Sequence, residues 1–86
     1  MAIPIGKVTH YYNRIGVAVL ALDAELKVGE WVQFLGHSTD FEQPVVSLEI
    51  NHHKIPSAGP GQEVAMKVTD RVRAGDKIYR INPETR

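Results

Sequence analysis

Lys27-Val28-Gly29-Glu30-Trp31-Val32 returns later in the chain as Arg73-Ala74-Gly75-Asp76-Lys77-Ile78. Each copy reads cation, small or branched apolar residue, glycine, acid, any residue, β-branched apolar residue. Between them lies a near copy, Ala58-Gly59-Pro60-Gly61-Gln62-Glu63-Val64-Ala65-Met66. A glycine that opens a strand in this way suits a backbone with φ above zero, which costs glycine little. The repeated turn predicts successive strands of a small β-barrel.

The segments around these turns read as strands too. Residues 5–12 are rich in β-branched and aromatic side chains. Asn13-Arg14 is a turn candidate. Residues 15–22 are apolar on both faces, and periodicity alone would allow a buried helix. Eight residues with an internal glycine and two valines favour a strand. Trp31 to Gly36 follows the first turn. In 39–50, Val46, Leu48 and Ile50 alternate with Val45, Ser47 and Glu49, which predicts one buried and one wet face. Pro44 lacks an N–H and belongs at a strand start, a bulge or an edge. Residues 51–57 form a short extended piece. Val64, Met66 and Val68 point inward from the next strand, and 76–81 is the last. No stretch of ten or more residues shows helical apolar spacing. The expectation is one all-β domain over 1–86, a small closed barrel of six or seven strands. Its core covers about 3–81, and 82–86 is a flexible tail.

The chain has 86 residues and no cysteine, so neither a disulfide framework nor a thiolate metal site is available. The longest apolar run, 15–22, is too short to span a bilayer. The N-terminus lacks the basic-then-apolar pattern of a signal peptide. These features predict a cytoplasmic protein without a membrane segment. Formal net charge is zero, yet residues 21–50 hold six acids and one base, whereas residues 67–86 hold six bases and three acids. A neutral protein can still present a basic face to phosphate, although charge runs are more often solvated strand ends.

The turn series over residues 26–78, with Val46-Ser47-Leu48-Glu49-Ile50 between its copies, resembles the second domain of translation GTPases such as elongation factor Tu and initiation factor two. The resemblance implies a six- or seven-stranded closed barrel of the translation-protein type. Residues 6–19, Thr39-Asp40-Phe41 and Val46-Ser47-Leu48 look closer to the accessory barrel at the end of the U32 (collagenase-like) peptidases. No G-x-x-x-x-G-K-[ST] loop is present, so no GTP is expected through that site. The peptidase's catalytic domain is absent as well. The expectation is a free-standing accessory barrel.

Four histidines, His10, His37, His52 and His53, are the candidate metal ligands. In an extended strand His52 and His53 point to opposite faces and cannot easily share an ion. No metal and no cofactor are expected. Glu30 and Asp76 hold equivalent turn positions and are read as accepting local backbone N–H groups rather than as an acid–base pair. Ser38 and Ser57 lack a nucleophile-elbow context. The chain is therefore read as a non-catalytic binding module. Lys7, Arg14, Arg71, Arg73, Lys77 and Arg80, with Tyr79 or Tyr12 for stacking, are the residues for RNA or ribosome contact. Phe41 is the candidate anchor for a protein partner, such as a U32-type peptidase or another enzyme served in trans. Self-assembly through an uncovered strand edge is the third reading.

Overall fold

The computed structural model describes residues 2–82, and every regular element among them is a strand. The ten strands are β1 (Ile3–Tyr12), β2 (Val17–Leu22), β3 (Leu26–Lys27), β4 (Trp31–Leu35), β5 (Asp40–Pro44), β6 (Leu48–Ile50), β7 (His53–Ile55), β8 (Ser57–Ala58), β9 (Glu63–Lys67) and β10 (Lys77–Ile81). Eight form one antiparallel sheet in the order β5-β4-β10-β1-β2-β9-β6-β7, and β3 pairs with β8. The expected tail lies, beyond Asn82, outside the described residues. So the chain is all-β, with more strands than the six or seven expected. The extra ones are β3, in a segment read as a connection, the division of 39–50 into β5 and β6, and the short β7 and β8 at the extended piece 51–57.

One face of the curled sheet builds the core. Ala18, Leu20 and Leu22 of β2 alternate inward, as do Val64 and Met66 of β9 and Val32 and Phe34 of β4. Ile5, Val8 and Ile78 complete the lining. Burying each of these side chains other than Ala18 stabilises by roughly 1.5–3 kcal/mol. The strand reading of 15–22 holds from Val17 onward, and Ile15 sits exposed in the β1–β2 turn.

The glycine turns recur three times as one device. Gly29, Gly61 and Gly75 have φ of 98°, 85° and 97°. That sign at the third position is what a type II turn requires, and Pro60 occupies the second position such turns favour. In each turn the fourth side chain accepts from the first backbone N–H. Lys27 N donates to Glu30 Oε1 at 2.8 Å, Gly59 N to Gln62 Oε1 at 2.7 Å, and Arg73 N to Asp76 Oδ2 at 2.8 Å. Each turn also grips one buried residue of another segment. The glycine N–H donates to its carbonyl, and its N–H donates to the carbonyl of the turn's fourth residue. The gripped residues are Val45, Leu22 and Val8.

The first grip explains where 39–50 departs from its expected alternation. Val45 is bonded to Gly29 and Glu30 at 2.9 and 2.7 Å, which draws it inward. Val45 is buried, whereas Val46 is 58% exposed, and the segment breaks into β5 and β6. Pro44 ends the edge strand β5, a place where a missing N–H costs nothing.

The ladder leaves β5 and β7 as edges. On the β5 side, buried Gln43 reaches across to the backbone at the end of β9 and just past it. Its Nε2 donates to Lys67 O at 3.1 Å, and its Oε1 accepts from Thr69 N at 2.8 Å. A carboxamide thus substitutes for a strand pair.

Candidate functional site

Arg71 and Arg73 stand on the loop that leads into β10. Val72 between them is buried, so the two arginines project outward on either side of an anchored residue. The backbone beneath them is fixed at both ends. Arg71 N donates to Asp70 Oδ1 and Arg73 N to Asp76 Oδ2, both at 2.8 Å. Neither guanidinium makes a hydrogen bond or ion pair with another described residue. The pair divides two pockets. One, of about 480 Å³, is lined by His10, Tyr11, Asn13, Arg71, Val72, Arg73 and Ala74. The other, of about 260 Å³, adds Ser38, Thr39, Asp40, Phe41 and Asp70 to the same two arginines.

The remaining basic residues named from the sequence do not gather there. Lys7 of β1 lies directly across from Lys77 of β10, both exposed on the outer face. Like charges in that register repel. Tyr79 shares the outer face of β10 with Lys77, half-buried, opposite Pro4 and Gln33. Arg80 has the opposite parity and is engaged. Its Nη1 donates to Glu25 O at 2.7 Å, and its Nε lies 3.9 Å from Glu30 Oε2. Its guanidinium is thus engaged within the fold, unlike those of Arg71 and Arg73. Arg14 is exposed in the β1–β2 turn, outside both pockets.

Among the aromatics, Tyr11 packs on the core while Tyr12 is 48% exposed, as opposite faces require. Phe41 is half-buried, its ring stacked on Phe34 with centroids 5.1 Å apart. It is rooted in the core and offers only one flank to the smaller pocket. Sequence reasoning weighed His10 only as a metal ligand. A register shift between Val8 and His10 marks a bulge in β1, and His10 lies against Tyr12 at 4.4 Å between centroids. Bulges re-aim side chains, which is how His10 comes to line the pocket beside Arg71.

His52 and His53 do not share one strand. Asn51 and His52 form the two-residue turn between β6 and β7, with φ of 51° and 65°. Two positive φ values are the mark of a type I′ hairpin, for which Asn-Gly is favoured. Among the described residues no three His, Cys, Asp or Glu side chains group as metal ligands. None of the described serine hydroxyls is hydrogen-bonded to a histidine. Among the described residues no helix is long and apolar enough to cross a membrane.

A larger groove of about 980 Å³ runs over the outer face of β2 and β9, floored by Val17, Val19 and Ala65. Tyr12 and Ile15 wall one side and Asn51 and His52 the other. The sequence carried no signal for it, since Ile15 reads there as the start of an apolar strand and not as a turn residue.

No family model matches the chain. Curated relatives do match. An uncharacterised protease of Methanocaldococcus jannaschii is 36% identical over 78 residues, which is 90% of this chain and 19% of the relative. A collagenase of Porphyromonas gingivalis is 30% identical over 80 residues, 91% of this chain and 22% of the relative. The chain thus spans about a fifth of the length of these relatives. Among solved structures, the C-terminal domain of a Geobacillus thermoleovorans protein provisionally assigned as a U32 peptidase superposes with a TM-score of 0.86. Identity is 22% and 91% of each chain is covered. Its selenomethionine form gives 0.83. This chain has the fold of that domain, and the matches fall on the U32 side of the two resemblances read from the sequence.

Proposed function

We propose that this chain is a non-catalytic accessory domain that serves a U32-type peptidase in trans. One observation carries the reading. About nine-tenths of the chain matches proteases in which the matched part is about a fifth of the whole. A unit that matches a fifth of a longer enzyme is suited to docking on the remainder. The test uses the Methanocaldococcus jannaschii protease shortened by its matched residues. Calorimetric titration with this chain should give saturable one-to-one binding. A flat titration, against a positive control with the relative's own excised domain, rejects the reading.

We also read the curled sheet as a small barrel of the translation-protein type. The support is Gln43, which ties edge strand β5 to the end of β9 and the chain just past it.

A second reading, an RNA- or ribosome-associated module, is favoured by the cations that lack partners among the described residues, Lys7, Lys77, Arg71 and Arg73. Filter binding with tRNA and ribosomal RNA across a salt series checks it. Affinity should fall steeply as salt rises, and a flat salt response rejects it.

A further inference from the structure

We propose that Arg71, Arg73, His10 and Asn13 form a binding site for a phosphate group. The inference goes beyond the accessory-domain reading and does not rest on it.

The fold itself does not require these arginine side chains. Arg73 is the first residue of the third glycine turn, and the same position is Lys27 in the first turn and Gly59 in the second. The turn needs only the backbone N–H there, because a glycine suffices in one copy. Arg71 likewise contributes its N–H to Asp70, while its guanidinium has no partner among the described residues. Arg80 shows the contrast, since its guanidinium is committed to Glu25 and Glu30.

The pocket between the arginines and β1 carries donors without a carboxylate to balance them. Of the described residues that line it, Arg71, Arg73, His10, Asn13 and Tyr11 can all donate. Acids occur on the other flank of the ridge, and both have partners. Asp40 Oδ1 accepts from Gln33 Nε2 at 3.0 Å, and Asp70 Oδ1 accepts from Arg71 N. Two forks on an anchored loop suit an anion with several oxygens, because each guanidinium offers parallel N–H bonds. A phosphate can use both forks and still accept from the imidazole and the carboxamide. A carboxylate has too few oxygens for all four. The pocket's volume, about 480 Å³, leaves room for more than the bare ion.

The experiment is a titration of the full chain with inorganic phosphate, adenosine 5′-monophosphate and acetate, followed by backbone and arginine Nε–H resonances. Phosphate should shift Arg71, Arg73, His10 and Asn13 to saturation, and acetate should not. The double variant R71Q/R73Q should bind about tenfold more weakly or worse. R71K/R73K should also weaken binding, since it keeps the charge and loses the forks. A thermal melt checks that each variant folds, and the single variants R71Q and R73Q serve if the double one does not. Tighter binding of the nucleotide would identify a phosphorylated metabolite as the source, and equal binding would identify free phosphate. Unchanged affinity in folded R71Q/R73Q, shifts centred on Lys7 and Lys77, or equal binding of acetate would overturn the proposal.

Discussion

Glu30 and Asp76 accept the same turn bond at different depths. Glu30 is half-buried, whereas Asp76 is 5% exposed and packs against Gly36, where any Cβ would run into its Oδ1. Removing the buried Asp76 carboxylate breaks a part-buried bond to the Arg73 N–H and empties its site, while water can replace Glu30 at an exposed bond. Asp76→Ala should therefore cost about 2–3 kcal/mol and Glu30→Ala about 1 kcal/mol or less, by urea denaturation. Equal losses would contradict the difference in burial. Gly36→Ala tests the same contact from the other side and should cost about 1–3 kcal/mol through overpacking. His52 is a stabilisation site. It holds a left-handed conformation that costs a residue with a Cβ roughly 1–2 kcal/mol, so His52→Gly should gain about 0.5–1 kcal/mol after the entropy of the unfolded glycine is counted. A matching rise of some 2–8 °C in Tm checks it. The three turn glycines were legible in the sequence because φ above zero leaves a compositional mark. The strain at His52 left none, since neither Asn nor His is reserved for that conformation.

At the scale of elements, the sequence shows where strands begin better than what they pair with. The alternation in 63–67 reads correctly because that strand lies within the sheet with one face on the core, whereas 17–22, apolar on both faces, shows its strand character only through its length, glycine and valines. Alternation in 39–50 misleads because Val45 is captured by a turn fifteen or so residues earlier in the chain, an interaction that is all backbone. Gln43 is hidden for a related reason. A glutamine between Glu42 and Pro44 looks like a solvated edge residue, yet it is 1% exposed and makes three hydrogen bonds, to Pro44, Lys67 and Thr69. The same limit applies to the candidate site. Arg71 and Arg73 stood out by charge, but only the bulge in β1 brings His10 to them. Gln43→Leu keeps the volume and removes the bridge, leaving the Lys67 carbonyl and Thr69 N–H without their partner. It should cost about 2–4 kcal/mol. Hydrogen exchange should speed up at Thr69 and along β5 before it does in β1 or β2. Uniform loss of protection would show that the bridge does not hold the edge.

Across the whole molecule, the open question of self-assembly turns on the two edges. An exposed edge pairs with another copy when it is long, flat and apolar. β5 presents Asp40 at one end and Pro44, without an N–H, at the other, while Gln43 ties it back to the end of β9 and the chain just past it. β7 has only three residues, of which His53 and Lys54 are exposed. Charge, proline and brevity are the devices that blunt edges, and both edges carry them. The remaining route to a dimer is the outer groove, where Tyr12 and Ile15 are 48% and 62% exposed. Its lining includes Glu49 and Glu63, with Lys67 as the one lysine or arginine among the described lining residues. Two copies facing each other there would bring like-charged carboxylates together, which opposes an isologous contact. The chain should therefore run as a monomer in size exclusion with light scattering across the micromolar range. A dimer would refute the edge argument if Ile15→Asp left it intact, and the groove argument if Ile15→Asp dissolved it.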